Sequence, residues 1–262
     1  MNRSRKTAAV VLAAAGVLAG VWPVAGSYAA ADDRAAPTPG PRVLWGEVTI
    51  PPGREGTVEA AGFTDPPPGT GSTLTLTAPA GTRVTGVPLD APGYRGSVAA
   101  DGRTAAYTVT SARRQGHEGT FPFVLAMSAD AVPGTRLSGC ALRVADADGV
   151  PLATGGCQVT VGLTEPVLTR PESGVPLGTR PAIAGTAHPG ARVTVSDKDD
   201  DEVCAATAGP EGHWNCTPGP ALPAGPNRLQ AIATLNGVSA ASEQIQITVG
   251  DAAPDRRHTA HR

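Results

Sequence analysis

The chain has 262 residues, a formal net charge of −2 and no basic patch, so it lacks the electrostatic footprint of a nucleic-acid binder. Glycine at 33 and proline at 26, with few Glu, Lys and Met, disfavour helices and favour short strands joined by tight turns. Three Trp, three Tyr and three Phe leave few rings for a sugar-stacking platform once the interior has been filled.

Residues 1–31 read as a secretory signal peptide. Arg3, Arg5 and Lys6 precede an apolar run from Ala8 to Val21, and small residues follow at Ser27-Tyr28-Ala29 and Ala29-Ala30-Ala31. The run, about 14 residues, falls short of the roughly 20 that cross a bilayer. Removing this segment takes away three cations and no acid, which moves the net charge from −2 to −5. No later stretch is long and apolar enough to be an integral membrane segment. The expected product is secreted and extracellular, either released or held non-covalently at a cell wall. A proline-rich leader, 32–42, precedes the first folded domain.

That domain is expected over 43–164 as an all-β sandwich. Alternation marks Thr73-Leu74-Thr75-Leu76-Thr77, Ala105-Ala106-Tyr107-Thr108-Val109 and Phe121-Pro122-Phe123-Val124-Leu125. Pro79-Ala80-Gly81, Asp101-Gly102 and Pro133-Gly134 supply the turns between them. The four cysteines of an exported chain should be oxidised, and four allow three pairings. Asp148-Gly149 signals a two-residue type I′ hairpin turn pairing Ala147 with Val150. That register sets Cys140 opposite Cys157 at a non-hydrogen-bonded site, where Cα atoms lie about 4.5 Å apart and a disulfide can form. Pro151 falls on the same class of site, where its missing N–H removes no ladder bond.

The second domain is expected over 165–249, with a break near Gly162 to Pro166 and a disordered tail over 250–262. Cys204 and Cys216 flank Gly209-Pro210-Glu211-Gly212, a second hairpin turn, and pair by proximity. With one local bridge in each half, no covalent link joins the two.

The stretch Gly185-Thr186-Ala187-His188-Pro189-Gly190-Ala191-Arg192-Val193 is followed by Gly212-His213-Trp214-Asn215-Cys216 and Leu222-Pro223-Ala224-Gly225. In this order they resemble the bacterial Ig-like repeats of secreted and surface proteins, over about 165–249. The resemblance implies an immunoglobulin-like sandwich in a spacer, display or adhesion role, and brings no catalytic residues with it. This chain carries Asp199-Asp200-Asp201-Glu202 where those repeats turn their first hairpin with Asp-x-x-Gly. Val193 and Val195 should face one way, and Trp214 should cover the neighbouring disulfide as a core residue rather than a ligand platform. The first half resembles the repeats only in general style.

Candidate chemistry is sparse. Asp197, Asp199, Asp200 and Asp201 could offer carboxylates to Ca²⁺, but they lack the Asp-x-Asp-x-Asp-Gly register and suit a solvated turn. His117, His188 and His213 are isolated, with no His-Glu-x-x-His, and His258 and His261 lie in the tail. Gly237-Val238-Ser239-Ala240-Ala241 lacks the second glycine of a nucleophile elbow. Lys198, the one lysine past the signal segment, sits among acids, which excludes a lysine-based isopeptide crosslink. No catalytic residue and no cofactor are expected. The reading is a non-enzymatic extracellular module whose partner is a protein or cell-wall polysaccharide. The alternative is a glycan-binding module using Trp45, Phe63 and Tyr94; a secreted hydrolase stands behind both.

Overall fold

The structure is a computed structural model and describes residues 44–61, 69–111, 120–174 and 176–250. The signal segment, the leader, Phe63, His117 and the tail with His258 and His261 lie outside the described residues. Every regular element among the described residues is a strand, as the glycine- and proline-rich composition requires.

The first sandwich contains β1 (Leu44–Ile50), β2 (Glu55–Ala60), β3 (Thr73–Thr77), β4 (Thr82–Gly86) and β5 (Tyr94–Val98). It continues with β6 (Thr104–Val109), β7 (Phe121–Met127), β8 (Arg136–Leu137), β9 (Ala141–Ala145) and β10 (Pro151–Val161). Its large sheet runs β1-β10-β9-β3-β6-β5, with β8 also on β10, and its small sheet runs β2-β7-β4. The period-two patterns face inward as the alternation requires. Leu74 and Leu76, Ala105 and Tyr107, and Phe121, Phe123 and Leu125 are all buried in one cluster drawn from both sheets. Tyr107 ties the layers together. Its ring lies 5.4 Å from Phe121 and 5.1 Å from Phe123. Its hydroxyl donates to the Pro122 carbonyl at 2.6 Å and accepts from the Leu89 N–H at 3.2 Å. Burial pushes the Tyr107 phenol above its ordinary range.

The disulfide hairpin corrects the expected turn while keeping the expected bridge. Asp146 N donates to Val150 O at 3.0 Å and Gly149, at φ +81°, donates to Asp146 O at 3.1 Å. The loop is therefore Ala147-Asp148-Gly149 rather than a type I′ turn of Asp148-Gly149. The Asp146 carboxylate explains the preference, because its Oδ1 accepts from Asp148 N at 3.0 Å and Val150 N at 2.8 Å. Pairing leaves the turn as Pro151 opposite Ala145, then shifts between Pro151 and Ala153, so that Gly156 faces Ala141. The bulge restores the register that sets Cys140 opposite Cys157, which are bonded with Cα atoms 5.1 Å apart. It also changes the class of the site. Cys157 N donates to Cys140 O at 3.4 Å, so the cysteines sit at a hydrogen-bonded position, contrary to expectation.

The second sandwich holds β11 (Val167–Arg170), β12 (Pro176–Leu177), β13 (Ile183–Thr186), β14 (Arg192–Ser196) and β15 (Glu202–Thr207). It ends with β16 (His213–Cys216), β17 (Gly225–Leu235), β18 (Val238–Ala241) and β19 (Ile245–Val249). The sheets run β11-β13-β16 and β12-β19-β17-β14-β15, with β18 on β17. A separate cluster around Ile183, Val193, Val195, Trp214, Leu229 and Ile247 fills it. The Gly209–Gly212 turn forms, with Gly212 N on Gly209 O at 2.9 Å, yet β15 and β16 do not pair as a hairpin. Val203 and Cys204 on β15 and Trp214 on β16 enter one core from opposite layers, so the strands separate into different sheets. The Cys204–Cys216 bridge, with Cα atoms 6.0 Å apart, therefore joins sheet to sheet.

Candidate functional site

The acidic run between β14 and β15 is a closed turn. Asp197 is 7% exposed, and its Oδ1 accepts from the amides of Asp199 at 2.9 Å and Asp201 at 3.2 Å. Asp200 takes φ 64°, a left-handed conformation that Asp tolerates better than most side chains. From β17, Asn227 Oδ1 accepts from Lys198 N at 3.1 Å, which fastens the turn to the sheet. Two further carboxylates meet cations: Asp199 the Lys198 ammonium and Asp200 the Arg228 guanidinium at 3.5 Å. The Asp199 hydrogen bond raises the pKa of Lys198 above its ordinary value. Asp197, Asp199, Asp200 and Asp201 are thus neighbours in the chain without converging on a point. Among the described residues no group of three or more His, Cys, Asp or Glu is arranged to hold a metal ion.

The three rings considered as a sugar platform part ways. Tyr94 packs edge-on against Phe121 with centroids 5.1 Å apart, so it serves the core. Phe63 lies outside the described residues. Trp45 remains 51% exposed on β1, opposite Gly156. Trp214, by contrast, is 3% exposed within the second core, and its Nε1 is buried without a hydrogen-bond partner.

His213 is exposed on β16 opposite Thr186, and His188, partly buried, has its Nδ1 2.9 Å from the Pro189 carbonyl. Ser239 of the near-motif sits on β18, its hydroxyl 3.1 Å from that of Thr234. A groove of about 630 Å³ runs where Arg54, Thr164, Glu165, Ser242 and Glu243 meet. Its serine hydroxyl is already engaged, donating to Glu243 O at 2.7 Å and accepting from Ala231 N at 2.9 Å. Among the described residues no histidine lines the groove. Ser128 donates to Asp130 and holds its carboxyl below the ordinary range, and no histidine is among the described residues that line the adjoining hollow.

Leu163 is buried in the second cluster and Val161 in the first, so a single residue, Gly162, separates the two cores along the chain. Gly162 N donates to Ile50 O at 2.8 Å, and Val161 N donates to Thr135 O at 2.8 Å. Asn236, on the turn between β17 and β18, donates from Nδ2 to the Pro133 carbonyl at 3.0 Å. A Cβ on Gly134 would lie 2.5 Å from the Asn236 carbonyl, so these two turns touch backbone to backbone.

Residues 177–253 match the family described as bacterial Ig domain, within the half where the resemblance was expected. No curated protein matches the chain. Similar solved structures include a BSP domain of a biofilm-associated protein, 14% identical with TM-score 0.28, covering 80% of this chain and 30% of that one. The major pilin subunit of Bacillus cereus is 10% identical with TM-score 0.34, covering 79% of this chain and 66% of that one. Murine CEACAM1b is 11% identical with TM-score 0.28, covering 79% and 98%.

Proposed function

We propose that this chain, which carries a bacterial Ig domain at 177–253, is a non-enzymatic module of the cell exterior that spaces or displays what it binds. The observation that carries the reading is the junction. One glycine separates the two cores, and the Pro133–Asn236 hydrogen bond closes the joint from the other side. A flexible tether would place several polar residues there instead. A stiff joint holds the far end of a module at a set distance, which is what a spacer must do.

Two local disulfides suit an oxidising compartment, and the signal-like segment 1–31 supplies the route to it. On this reading the two cores divide the chain into 44–161 and 163–249 about Gly162. Fractionating the producing cells and assaying the purified protein on a broad hydrolase panel tests this reading. The protein is expected in the medium or on the wall, without turnover; retention in the cytoplasm or measurable turnover would sink it.

A further inference from the structure

The outward face of the first sandwich's large sheet is paved with short hydroxylated side chains. Thr73, Thr75 and Thr77 on β3 alternate with the buried Leu74 and Leu76, so all three point outward. Thr73 stands opposite Thr108 and Thr77 opposite Thr104, which extends the pattern sideways onto β6. Sheet geometry sets these hydroxyls about 4.8 Å apart across strands and about 6.8 Å apart along them. Following the Thr77 row the other way leads through Ala141 and Gly156 to Trp45. Ala141 and Gly156 keep that row low, so the half-exposed indole stands at the rim of a flat floor.

Charge on this face runs against that of the chain. Arg95, Arg136 and Arg143 are exposed on its strands, while the carboxylate on the same face of the described strands is Glu47, at the β1 edge. Two net positive charges therefore sit on one face of a chain whose total is −2. Threonine is an ordinary choice for a strand's outer face. A threonine grid edged by an exposed tryptophan and flanked by guanidiniums is a narrower arrangement. A protein partner would need buried apolar anchors at the centre of its footprint, and this floor has none there. A polysaccharide needs what is present: hydroxyls in register with a repeating polymer, an indole for the apolar face of one sugar, and guanidiniums for carboxylates.

We infer that the outward face of β5-β6-β3-β9-β10-β1 binds a linear, carboxylate-bearing polysaccharide, with Trp45 stacking on a sugar ring and Arg95 and Arg143 meeting its acid groups. This deepens the display reading and rests on it, since a spacer of the cell exterior meets such polymers. The test is titration of the full oxidised chain with polygalacturonate, and with neutral pullulan as the comparison. Binding to polygalacturonate is expected, weakening as salt is added. Trp45→Ala and Thr75→Glu should each weaken it at least about tenfold, the second by setting a carboxylate mid-floor. Arg192→Ser, on an exposed site of the second sandwich, should leave it unchanged. All the substituted positions are at the surface, and melting curves identify any variant that has lost its fold; Arg143→Ser then stands in for it.

Equal binding of pullulan, no binding of either polymer, or an Arg192→Ser loss matching that of Thr75→Glu overturns the inference. Tighter binding of DNA or of anionic vesicles than of polygalacturonate overturns it as well. If binding fails while the protein remains exported and without turnover, the polysaccharide inference falls and the spacer reading stands. Cleavage of the polymer would fell both.

Discussion

Gly155 and Gly156 are adjacent in the chain and should respond in opposite ways to one methyl group. A Cβ on Gly155 would lie 1.9 Å from the Leu44 carbonyl oxygen and 2.5 Å from Leu44 Cβ. The obstacle is the backbone of β1, whose parallel register on β10 runs from Leu44–Gly155 to Ile50–Val161. Restoring ordinary contact requires β1 to move by about 1.5 Å, more than a ladder hydrogen bond tolerates. Overpacking of this kind costs roughly 3 kcal/mol or more, because nothing flexible can yield. A Cβ on Gly156 meets only the Cys140 carbonyl at 3.6 Å, an ordinary contact. There the gain from restricting the unfolded chain, up to about 1 kcal/mol, goes largely unopposed. At about 4 °C per kcal/mol, Gly155→Ala should lower the melting temperature of the first sandwich by about 12 °C. Gly156→Ala should stay level or rise by a few degrees. Differential scanning calorimetry of the oxidised proteins measures both. Equal shifts in the two variants would refute the reasoning, since burial and composition do not distinguish these glycines and only the approach of β1 does.

Other outcomes follow from particular contacts. Tyr107→Phe strands the Pro122 carbonyl and the Leu89 amide and should cost about 1–3 kcal/mol at neutral pH by urea titration. Because burial raises the folded-state pKa of Tyr107 above its ordinary 10.0, its contribution is complete below pH 10 and drains as pH rises further. The gap between wild type and Tyr107→Phe should therefore narrow in alkaline buffer; a constant gap would show that the phenol is not linked to folding. Trp214→Ala opens a cavity in the second core and should cost about 3–5 kcal/mol, while the melting of the first sandwich stays put. Replacing Cys204 and Cys216 together by serine removes a bridge spanning 12 residues and should cost about 3 kcal/mol. Cleavage after Glu165 without reductant should release no peptide linking Cys140 or Cys157 to Cys204 or Cys216, which non-reducing peptide mapping decides.

What could be read from the sequence was what local chemistry decides. The Leu74/Leu76 and Phe121/Phe123 alternations name their own buried face, and both disulfide pairs are close enough in the chain to be chosen by proximity. The Cys140–Cys157 register came out right by two departures that cancel: a three-residue loop in place of two, then a bulge beyond Pro151. The Asp146 side chain decides the loop, and no propensity rule weighs that against Asp148-Gly149. Allegiance of strands to sheets was hidden, because β15 and β16 part to serve a core assembled from residues far apart in the chain. One signal was present and passed over. Asn236-Gly237, at φ 49° and 80°, is the hairpin dipeptide joining β17 to β18, and its Asn236 is the residue that reaches Pro133 and Gly134 at the joint. In the acidic turn, Asp197 accepts from the turn's own amides while Asp199 and Asp200 pair with Lys198 and Arg228, a division of roles that composition alone does not specify. For the sugar-platform rings, exposure decided, and it separates Trp45 from Tyr94 although both are aromatic residues in strands.

The central claim is that two sandwiches are held by a joint too short and too well bonded to bend freely. Backbone ¹⁵N relaxation of the oxidised chain tests it most directly, by comparing overall tumbling times for residues 44–161 and 163–249. The account predicts one common, anisotropic tumbling time for both, which splits into two shorter ones when a Gly-Ser segment is inserted after Gly162. Two different times in the unmodified chain, each matching a body of about half the mass, would contradict it.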